Sequence, residues 1–334
     1  NTQTMTKQAF LAGCLARLGL LRLMIRRQHK RLPVLAYHRI LDDDSDPATL
    51  ADPGLFSATA SSFDAQMALV SRHFNVITLS RLLDPAPLPP RPLVVTFDDG
   101  YEDNYRIAYP ILKKHGLHGV FFVTTGFIDD GQPLWFDQVA ILLNQSTLPR
   151  TLDVAGRRLL PHAMPRQQLV QQVLAHLKSL TAEARQAEIK VLEQQTGKPP
   201  IAPGAPMTWA QLRHMADNGM EVGSHSRSHS VLANETASTI TAELAGSRQQ
   251  ICEQLQRDCI SVAYPVGGTS AVNDQVLHAA RECGYGIGCT YLSGINRLPL
   301  RDPLALVRVH VELDVTLAQF YAQLALPDLF GYRH

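Results

Sequence analysis

The 334-residue sequence has little charge, few cysteines and no long apolar run. Only 18% of its residues are charged, and 31 Lys and Arg nearly balance 30 Asp and Glu, which gives a formal net charge of +1. Such a balance gives no global case for nucleic-acid binding. No run of about 18 consecutive apolar residues occurs, which excludes a single membrane-spanning helix on length. With 45% hydrophobic residues, the chain can instead bury a substantial core.

The five cysteines do not form the pattern of a disulfide framework. Their number is odd and no two have CxxC spacing, so we interpret them as reduced thiols. Leu11-Ala12-Gly13-Cys14 resembles a lipoprotein cleavage box. The apolar run before it is shorter than the roughly 7–15 residues of an export signal, however. The sequence therefore predicts a cytoplasmic protein.

One region departs from the balanced charge. Eight basic residues and no acidic residue precede Asp42. Helical spacing is shared by five side chains of this region: Phe10, Cys14, Leu18, Leu21 and Ile25. We therefore expect a basic amphipathic helix within residues 1–32. It either packs on the rest of the protein with its arginines solvated, or lies peripherally on an anionic surface such as the inner membrane through residues 7–31.

Short apolar runs predict seven buried strands separated by helical patterns. Most runs are continuous rather than alternating, as in a parallel sheet covered by helices on both faces. The runs are Pro33–Tyr37, Leu93–Phe97, Gly119–Val123, Met220–Gly223, Ile260–Tyr264, Tyr285–Cys289 and Leu306–Val309. This order predicts an α/β fold, either an open sheet or an incomplete (β/α) barrel. Residues 129–207 contain no strong strand run, and we interpret them as a helical insertion, either a lid or a packing appendage.

The first chemical signal lies at a predicted strand end. The strand Leu93–Phe97 leads directly into Asp98, Asp99 and Gly100. Sites of α/β folds lie at the carboxyl ends of strands. Two neighbouring carboxylates that point in different directions allow one to bind a metal while the other remains a base. Taken alone, the same aspartates are equally typical of a helix N-cap.

The second signal follows another predicted strand, Met220–Gly223. His225 and His229 are four residues apart, a spacing that places two imidazoles on one side of a helical turn. Alone, such a pair is more often two surface histidines. Combined with the Asp98-Asp99 strand end, it predicts a site of one carboxylate and two imidazoles, which suits zinc or another divalent cation.

These motifs resemble those of the polysaccharide deacetylase family, carbohydrate esterase family 4, whose shared unit is the NodB homology domain. Thr96-Phe97-Asp98-Asp99-Gly100 corresponds to the first motif of the family, and His225-Ser226-Arg227-Ser228-His229 to the second. Ala263-Tyr264-Pro265-Val266-Gly267 matches the third in part. The resemblance spans residues 33–312. It implies a distorted (β/α)7 barrel within residues 33–334 and metal-dependent removal of N-acetyl groups from amino sugars.

The resemblance also implies a metal site and a base. Asp99, His225 and His229 would bind a divalent cation, which we expect to be Zn²⁺. Asp98 would be the general base that takes a proton from water. A divalent cation acidifies water and polarises a carbonyl group, so this division of roles is chemically reasonable.

Four further residues complete the implied site. The backbone N–H of Tyr264 would stabilise the oxyanion. His310, on the last predicted strand, would be the general acid that protonates the departing amine. Tyr101 and His38 would contact the substrate. For His38 and His310, a purely structural role stays open as the alternative.

One departure from the family pattern affects the predicted base. Ala263 stands where the third motif usually has an arginine that braces it, and Arg297, Arg301 and Arg308 are candidate substitutes. With the run Pro33–Arg39, this departure resembles the branch that acts on exopolysaccharides and surface glycans. The leading hypothesis is an N-deacetylase acting on a bacterial surface polysaccharide or its lipid-linked precursor, with no nucleic-acid partner. An O-acetyl esterase and a catalytically silent carbohydrate-binding partner are the alternatives.

Overall fold

A computed structural model describes residues 7–27, 30–46, 52–154, 156–197 and 204–331 of the chain. Within them, seven parallel strands form a closed barrel with helices packed outside it. This arrangement confirms the predicted (β/α)7 barrel over the alternative of an open sheet.

The barrel follows the order of the chain. Each strand pairs in parallel with the next, and the seventh pairs with the first, which closes the barrel. The strands are β1 Val34–Tyr37, β2 Pro92–Phe97, β3 Val120–Val123, β4 Glu221–Ser224, β5 Ser261–Ala263, β6 Ile287–Ser293 and β7 Leu306–His310. All seven overlap the apolar runs predicted from the sequence, and β6 extends furthest beyond its run, to Ser293. Strands covered on both faces need such continuous runs.

Short strands lie around the barrel. In the predicted insertion, Leu152–Val154 and Arg157–Leu159 form a hairpin that the sequence pattern does not predict. The other short strands are Arg31–Leu32 paired with Asn296–Arg297, Arg39–Leu41 paired with Phe56–Thr59, and Asn75–Val76 beside β2.

Helices follow every strand of the barrel except β6, and those outside the insertion pack around the barrel. The helices are α1 Lys7–Arg17, α2 Leu20–Arg27, α3 Ala60–His73, α4 Tyr109–Lys114, α5 Thr125–Asp130, α6 Trp135–Leu143, α7 Arg166–Leu177, α8 Ala182–Thr196, α9 Trp209–Asp217, α10 Ala237–Leu255, α11 Asp274–Glu282, α12 Leu317–Ala325 and α13 Pro327–Phe330. A π-helical turn, Asn104–Ala108, precedes α4. Helices α6, α7 and α8 lie in the predicted insertion and share an apolar cluster of their own.

The basic amino-terminal segment forms two helices rather than the single helix expected. Helices α1 and α2 meet at 81°, and Gly19 between them has a φ of 71°, which favours glycine. Both pack on α12, where Ala12, Leu21 and Ile25 are buried. No single described helix is long and apolar enough to cross a membrane; α1 and α2 meet that criterion only as a bent pair.

Side chains fill the amino-terminal half of the barrel interior. This cluster is apolar and includes Val34, Val94, Val120, Phe122 and Leu306. Because this half of the interior is packed rather than open, a site for a ligand lies at the carboxyl ends of the strands. The predicted site residues lie at that end.

Candidate metal centre

Asp99, His225 and His229 meet at the carboxyl end of the barrel. The Nε2 atoms of His225 and His229 lie 3.5 Å and 3.3 Å from Oδ1 of Asp99. All three side chains are buried. They form a group of donors that can hold one metal ion.

The donors fit a divalent cation in two respects. Within the described residues, neither carboxylate oxygen of Asp99 has a hydrogen-bond partner, which is costly for a buried charge unless a cation binds it. Ligand atoms at about 2.0–2.2 Å from a tetrahedral ion are about 3.3–3.6 Å apart, which matches the separations of the imidazoles from Asp99. One carboxylate with two imidazoles is also a set that zinc accepts.

Backbone conformation directs Asp99 into the site. Its φ of 75° is unusual for a residue with a side chain and turns the chain sharply after β2. Gly100 follows with a φ of 97°, and a Cβ there would lie 3.1–3.3 Å from Ile128 and Val123. Only glycine suits this position, so the Asp-Asp-Gly sequence allows both carboxylates to face the same cavity.

The two histidines lie on a loop after β4, not on the helical turn that their spacing suggests. Ser226 and His229 both have positive φ values, which fold the loop back on itself. Nδ1 of His225 is 2.7 Å from the carbonyl oxygen of Ala263, so its Nε2 faces Asp99. The indole N–H of Trp135 donates to the carbonyl oxygen of His229 at 3.1 Å.

Arg308 braces Asp98. Its Nη1 and Nη2 donate to the two oxygens of Asp98 at 2.8 Å and 2.7 Å, and its Nε donates to the carbonyl of Thr290. Burial by itself raises the pKa of Asp98, but the charge and hydrogen bonds of Arg308, together with the nearby His225 and His38, outweigh it and leave the pKa below its usual value. Of the three arginines left open by the sequence, the structure therefore selects Arg308.

The carboxylates open into a cavity of about 410 Å³. Helices of the insertion supply part of its wall, including Trp135, Phe136 and Leu174. Further lining residues are His38, Asp52, Gln171, Lys178, Val266 and Tyr291. The insertion therefore borders the site, as expected of a lid rather than of a distant appendage.

Two histidines compete for the role of general acid. His38 lines the cavity, and its Nε2 lies 4.0 Å from Oδ2 of Asp98. His310 is two residues beyond Arg308 on β7, but its ring stacks on Tyr291 at 3.8 Å and it borders a neighbouring cavity. It is not among the residues that line the cavity of Asp98. The structure thus places His38 beside Asp98 and stacks the ring of His310 on Tyr291.

Tyr264 and Tyr101 differ from their expected roles. The N–H of Tyr264 already donates to the carbonyl oxygen of Cys289, and its hydroxyl donates to Leu304. This N–H is therefore engaged, although Tyr264 does line the cavity. Tyr101 is fully buried with its hydroxyl 2.5 Å from Asp137, and it is not among the cavity-lining residues.

A family model described as polysaccharide deacetylase matches residues 86–288, more than half of the chain. The chain belongs to the polysaccharide deacetylase family. A curated Bacillus subtilis protein named as a polysaccharide deacetylase, YxkH, is 23% identical over 265 residues. The match covers 78% of this chain and 64% of YxkH, so the chain spans less than two thirds of that relative.

Solved structures share the fold. The Streptococcus pyogenes deacetylase PplD, in complex with acetate, matches with a TM-score of 0.58 and 21% identity, over 86% of this chain and 95% of PplD. BC0361, a polysaccharide deacetylase from Bacillus cereus, matches with a TM-score of 0.57 and 19% identity, over 88% of this chain and 69% of that one. At these identities the likeness establishes the barrel fold.

Several side chains of the candidate site carry no strong sequence signal. Tyr291 lies beyond the apolar run predicted for β6, because that strand continues to Ser293. Trp135 and Phe136 lie in the insertion, where only their aromatic character offered a clue. Val266 belongs to the partly matched third motif and lines the cavity, whereas the sequence motif singles out its neighbour Tyr264.

Proposed function

We propose that the chain is a metal-dependent N-deacetylase, which hydrolyses N-acetyl groups on amino sugars of a bacterial surface polysaccharide or its lipid-linked precursor. One observation carries this proposal. A donor set suited to a divalent cation lies beside Asp98, a carboxylate held by an arginine and open to the same cavity. Membership of the polysaccharide deacetylase family supports the substrate class.

Asp99, His225 and His229 would hold the cation, and Zn²⁺ is the ion we propose. A divalent cation bound there would polarise the acetyl carbonyl and make water more acidic. All three side chains are buried, and the rings of His225 and His229 are oriented by Ala263 and Trp135, so the imidazoles present their donor atoms without rearrangement.

Asp98 would accept the proton of the attacking water. Arg308 keeps this carboxylate ionised, so it is available as a base at neutral pH. The oxygen of the water adds to the acetyl carbon, the C–N bond then breaks, and acetate leaves. The amine needs a proton to depart, since an amide anion is a very poor leaving group.

His38 is the general acid that the geometry favours. It borders the cavity and lies next to Asp98, whereas the ring of His310 stacks on Tyr291. For the oxyanion, the candidate donor is the N–H of Val266. Val266 lines the cavity, and Pro265 before it has no N–H.

The shape of the cavity suits a sugar. Its volume falls within the range of about 300–1,000 Å³ typical of ligand sites. Trp135 and Phe136 give it an aromatic wall, while Asp52 and Lys178 add polar groups. Such a mixture orients a ligand that has both apolar faces and hydroxyl groups.

The proposal predicts that metal and activity are lost together. The purified chain is expected to contain one divalent ion and to release acetate from N-acetylated oligosaccharides. Asp99→Ala and His229→Ala remove a donor and should abolish both ion binding and acetate release. Asp98→Asn should retain the ion and lose turnover. Elemental analysis and an acetate assay on the same samples test this.

The same assay separates the alternatives. Acetate from O-acetylated glycans alone would replace the amidase proposal with an esterase. Bound ion and bound glycan without acetate from either substrate would favour a silent binding partner. Comparing a polymer with a lipid-linked acetylated sugar would then decide between the two proposed substrates.

A further inference from the structure

The amino-terminal helices carry a concentrated patch of exposed apolar side chains. Of eleven exposed large apolar side chains in the described part of the chain, six lie in α1, α2 and the turn between them. Leu18 is 72% exposed and Phe10 is 62% exposed. These six, called here the amino-terminal patch, are Phe10, Leu11, Leu18, Leu20, Leu23 and Met24.

The amino-terminal patch is not needed to attach the helices to the barrel. Other faces of α1 and α2 already pack on α12, through Ala12, Leu21 and Ile25. On α2, Leu20 and Met24 are four residues apart and lie on a different side from Leu21 and Ile25. The exposed side chains are therefore additional to the buried ones that attach the two helices to the rest of the protein. Clustered exposed apolar side chains mark interaction surfaces.

Charge next to the patch indicates what it binds. All the basic side chains of the two helices are exposed: Lys7, Arg17, Arg22, Arg26 and Arg27. No acidic residue precedes Asp42 in the sequence. Apolar side chains flanked by arginines match an anionic bilayer, because the apolar groups enter the acyl region while the arginines reach the lipid phosphates. If a second copy of the chain bound this patch, the arginines of the two copies would face each other, and like charges repel.

We infer that α1 and α2 form a docking surface for an anionic lipid bilayer and hold the protein on it peripherally. This inference is independent of the proposed enzymatic function. The helices lie in the bilayer interface rather than across it, since neither is long enough to span a membrane alone and the pair is bent by 81°.

Vesicle sedimentation with the full chain tests the inference. Vesicles of phosphatidylcholine with about a third phosphatidylglycerol are expected to bind the protein, and pure phosphatidylcholine vesicles to bind much less. The Phe10→Ser/Leu18→Ser and Arg22→Glu/Arg26→Glu variants should each weaken binding at least about tenfold. Binding should also fall with added salt.

Matched variants elsewhere control for loss of apolar surface and of charge. Leu160→Ser/Val191→Ser removes exposed apolar groups, and Arg157→Glu/Arg158→Glu reverses exposed charges, both in the insertion. These controls should bind vesicles like the unaltered chain. Acetate release from a soluble oligosaccharide, or far-UV circular dichroism should that activity be absent, verifies the fold of every variant.

Three results would overturn the inference. The unaltered chain would fail to sediment with anionic vesicles, or the patch variants would bind as strongly as the controls. Alternatively, sedimentation velocity would show a dimer that Phe10→Ser/Leu18→Ser abolishes, which would make a second copy the occupant of the patch.

Discussion

At the scale of single residues, the ion pair between Asp98 and Arg308 fixes the position of the carboxylate beside the candidate metal centre. Both side chains are buried, and the guanidinium contacts both carboxylate oxygens. Two charges taken out of water are tolerated only when each neutralises the other. The pair therefore contributes to the stability of the fold and also favours the ionised form of Asp98.

Removal of one member should be far more costly than removal of both. Arg308→Met leaves Asp98 buried and uncompensated, and we expect it to lower the free energy of unfolding by about 3–5 kcal/mol. The double variant Asp98→Asn/Arg308→Met should recover a large part of that loss. Urea unfolding of the two single variants and the double variant measures the coupling. Simply additive effects would contradict the pairing.

The choice between His38 and His310 can be decided with the leaving group. His38→Ala should lower N-deacetylation by roughly 10²–10⁴-fold, because the amine then departs without a proton donor. Hydrolysis of an activated acetate ester, whose leaving group needs no proton, should change far less. His310→Ala serves as the comparison. If His310→Ala rather than His38→Ala shows this selective loss, the acid is His310.

The sequence predicts the residues that meet at the candidate metal centre, but it does not choose among the arginines that could brace Asp98. Asp98, Asp99, His225 and His229 belong to local motifs, so spacing alone makes them visible. Arg308 is 210 residues from Asp98. Their contact arises because β7 pairs with β1, which in turn pairs with β2. Contacts of this kind depend on barrel closure and register, which a local pattern does not contain.

Among the elements, the insertion has the closest connection to the site. Helix α6 contributes Trp135 and Phe136 to the cavity and also places Asp137 on the buried hydroxyl of Tyr101. Arg39 stacks over the ring of Tyr101 and pairs with Asp103. This buried network links the insertion to the turn that follows Asp98 and Asp99.

The network gives the fold a specific pH dependence. Burial raises the pKa of Asp137 to about 7, despite the hydrogen bond from Tyr101 and the charge of Arg39. The value in an unfolded chain is roughly 3.9. Between these pH values Asp137 is protonated in the folded protein and ionised in the unfolded chain. The free energy of unfolding therefore falls as pH rises from about 4 to 7.

Asp137→Asn should remove this loss. The unaltered chain, relative to Asp137→Asn, is expected to lose up to about 1.4 kcal/mol of unfolding free energy per pH unit between about pH 5 and 7. Unfolding titrations of both proteins across that range measure it. Asp153→Asn, at an exposed carboxylate of the same insertion, controls for loss of a negative charge. A difference that stays constant with pH would contradict the buried position of Asp137.

The strands of the barrel could be predicted from the sequence, but the division of the amino-terminal segment into two helices could not. Buried strands need continuous apolar runs, and all seven are recognisable from the sequence. The amino-terminal helix was expected to be single, because the spacing of Leu18 and Leu21 continues across Gly19. A glycine inside a helical pattern does not reveal whether it bends the chain, and here it separates two helices at 81°. As a result Leu18 is exposed while Leu21 is buried.

For the whole molecule, the metal centre is expected to contribute to stability. Its donors come from the ends of β2 and β4, so a bound ion joins segments that are distant in the chain. A ligand that binds only the folded state at about 100 times its dissociation constant adds roughly 2.7 kcal/mol.

Removal of the ion should therefore lower thermal stability. Thermal unfolding of the unaltered chain is expected at a clearly lower temperature after chelation, and re-addition of Zn²⁺ should restore it. The Asp99→Ala variant should show no such difference, because it lacks a donor. An equal effect of chelation on both proteins would place the stabilising ion elsewhere.

The position of Arg308 on the seventh strand has a consequence for biosynthesis. Ribosomes deliver the chain from its amino terminus, so the Asp98 carboxylate and the histidine loop emerge long before their guanidinium partner. A nascent chain halted before β7 would contain Asp99, His225 and His229, which are proposed to bind the metal ion. It would still lack the Arg308 guanidinium that favours the ionised form of Asp98. If the proposed function holds, the chain would become active only when β7 pairs with β1 and closes the barrel, late in translation.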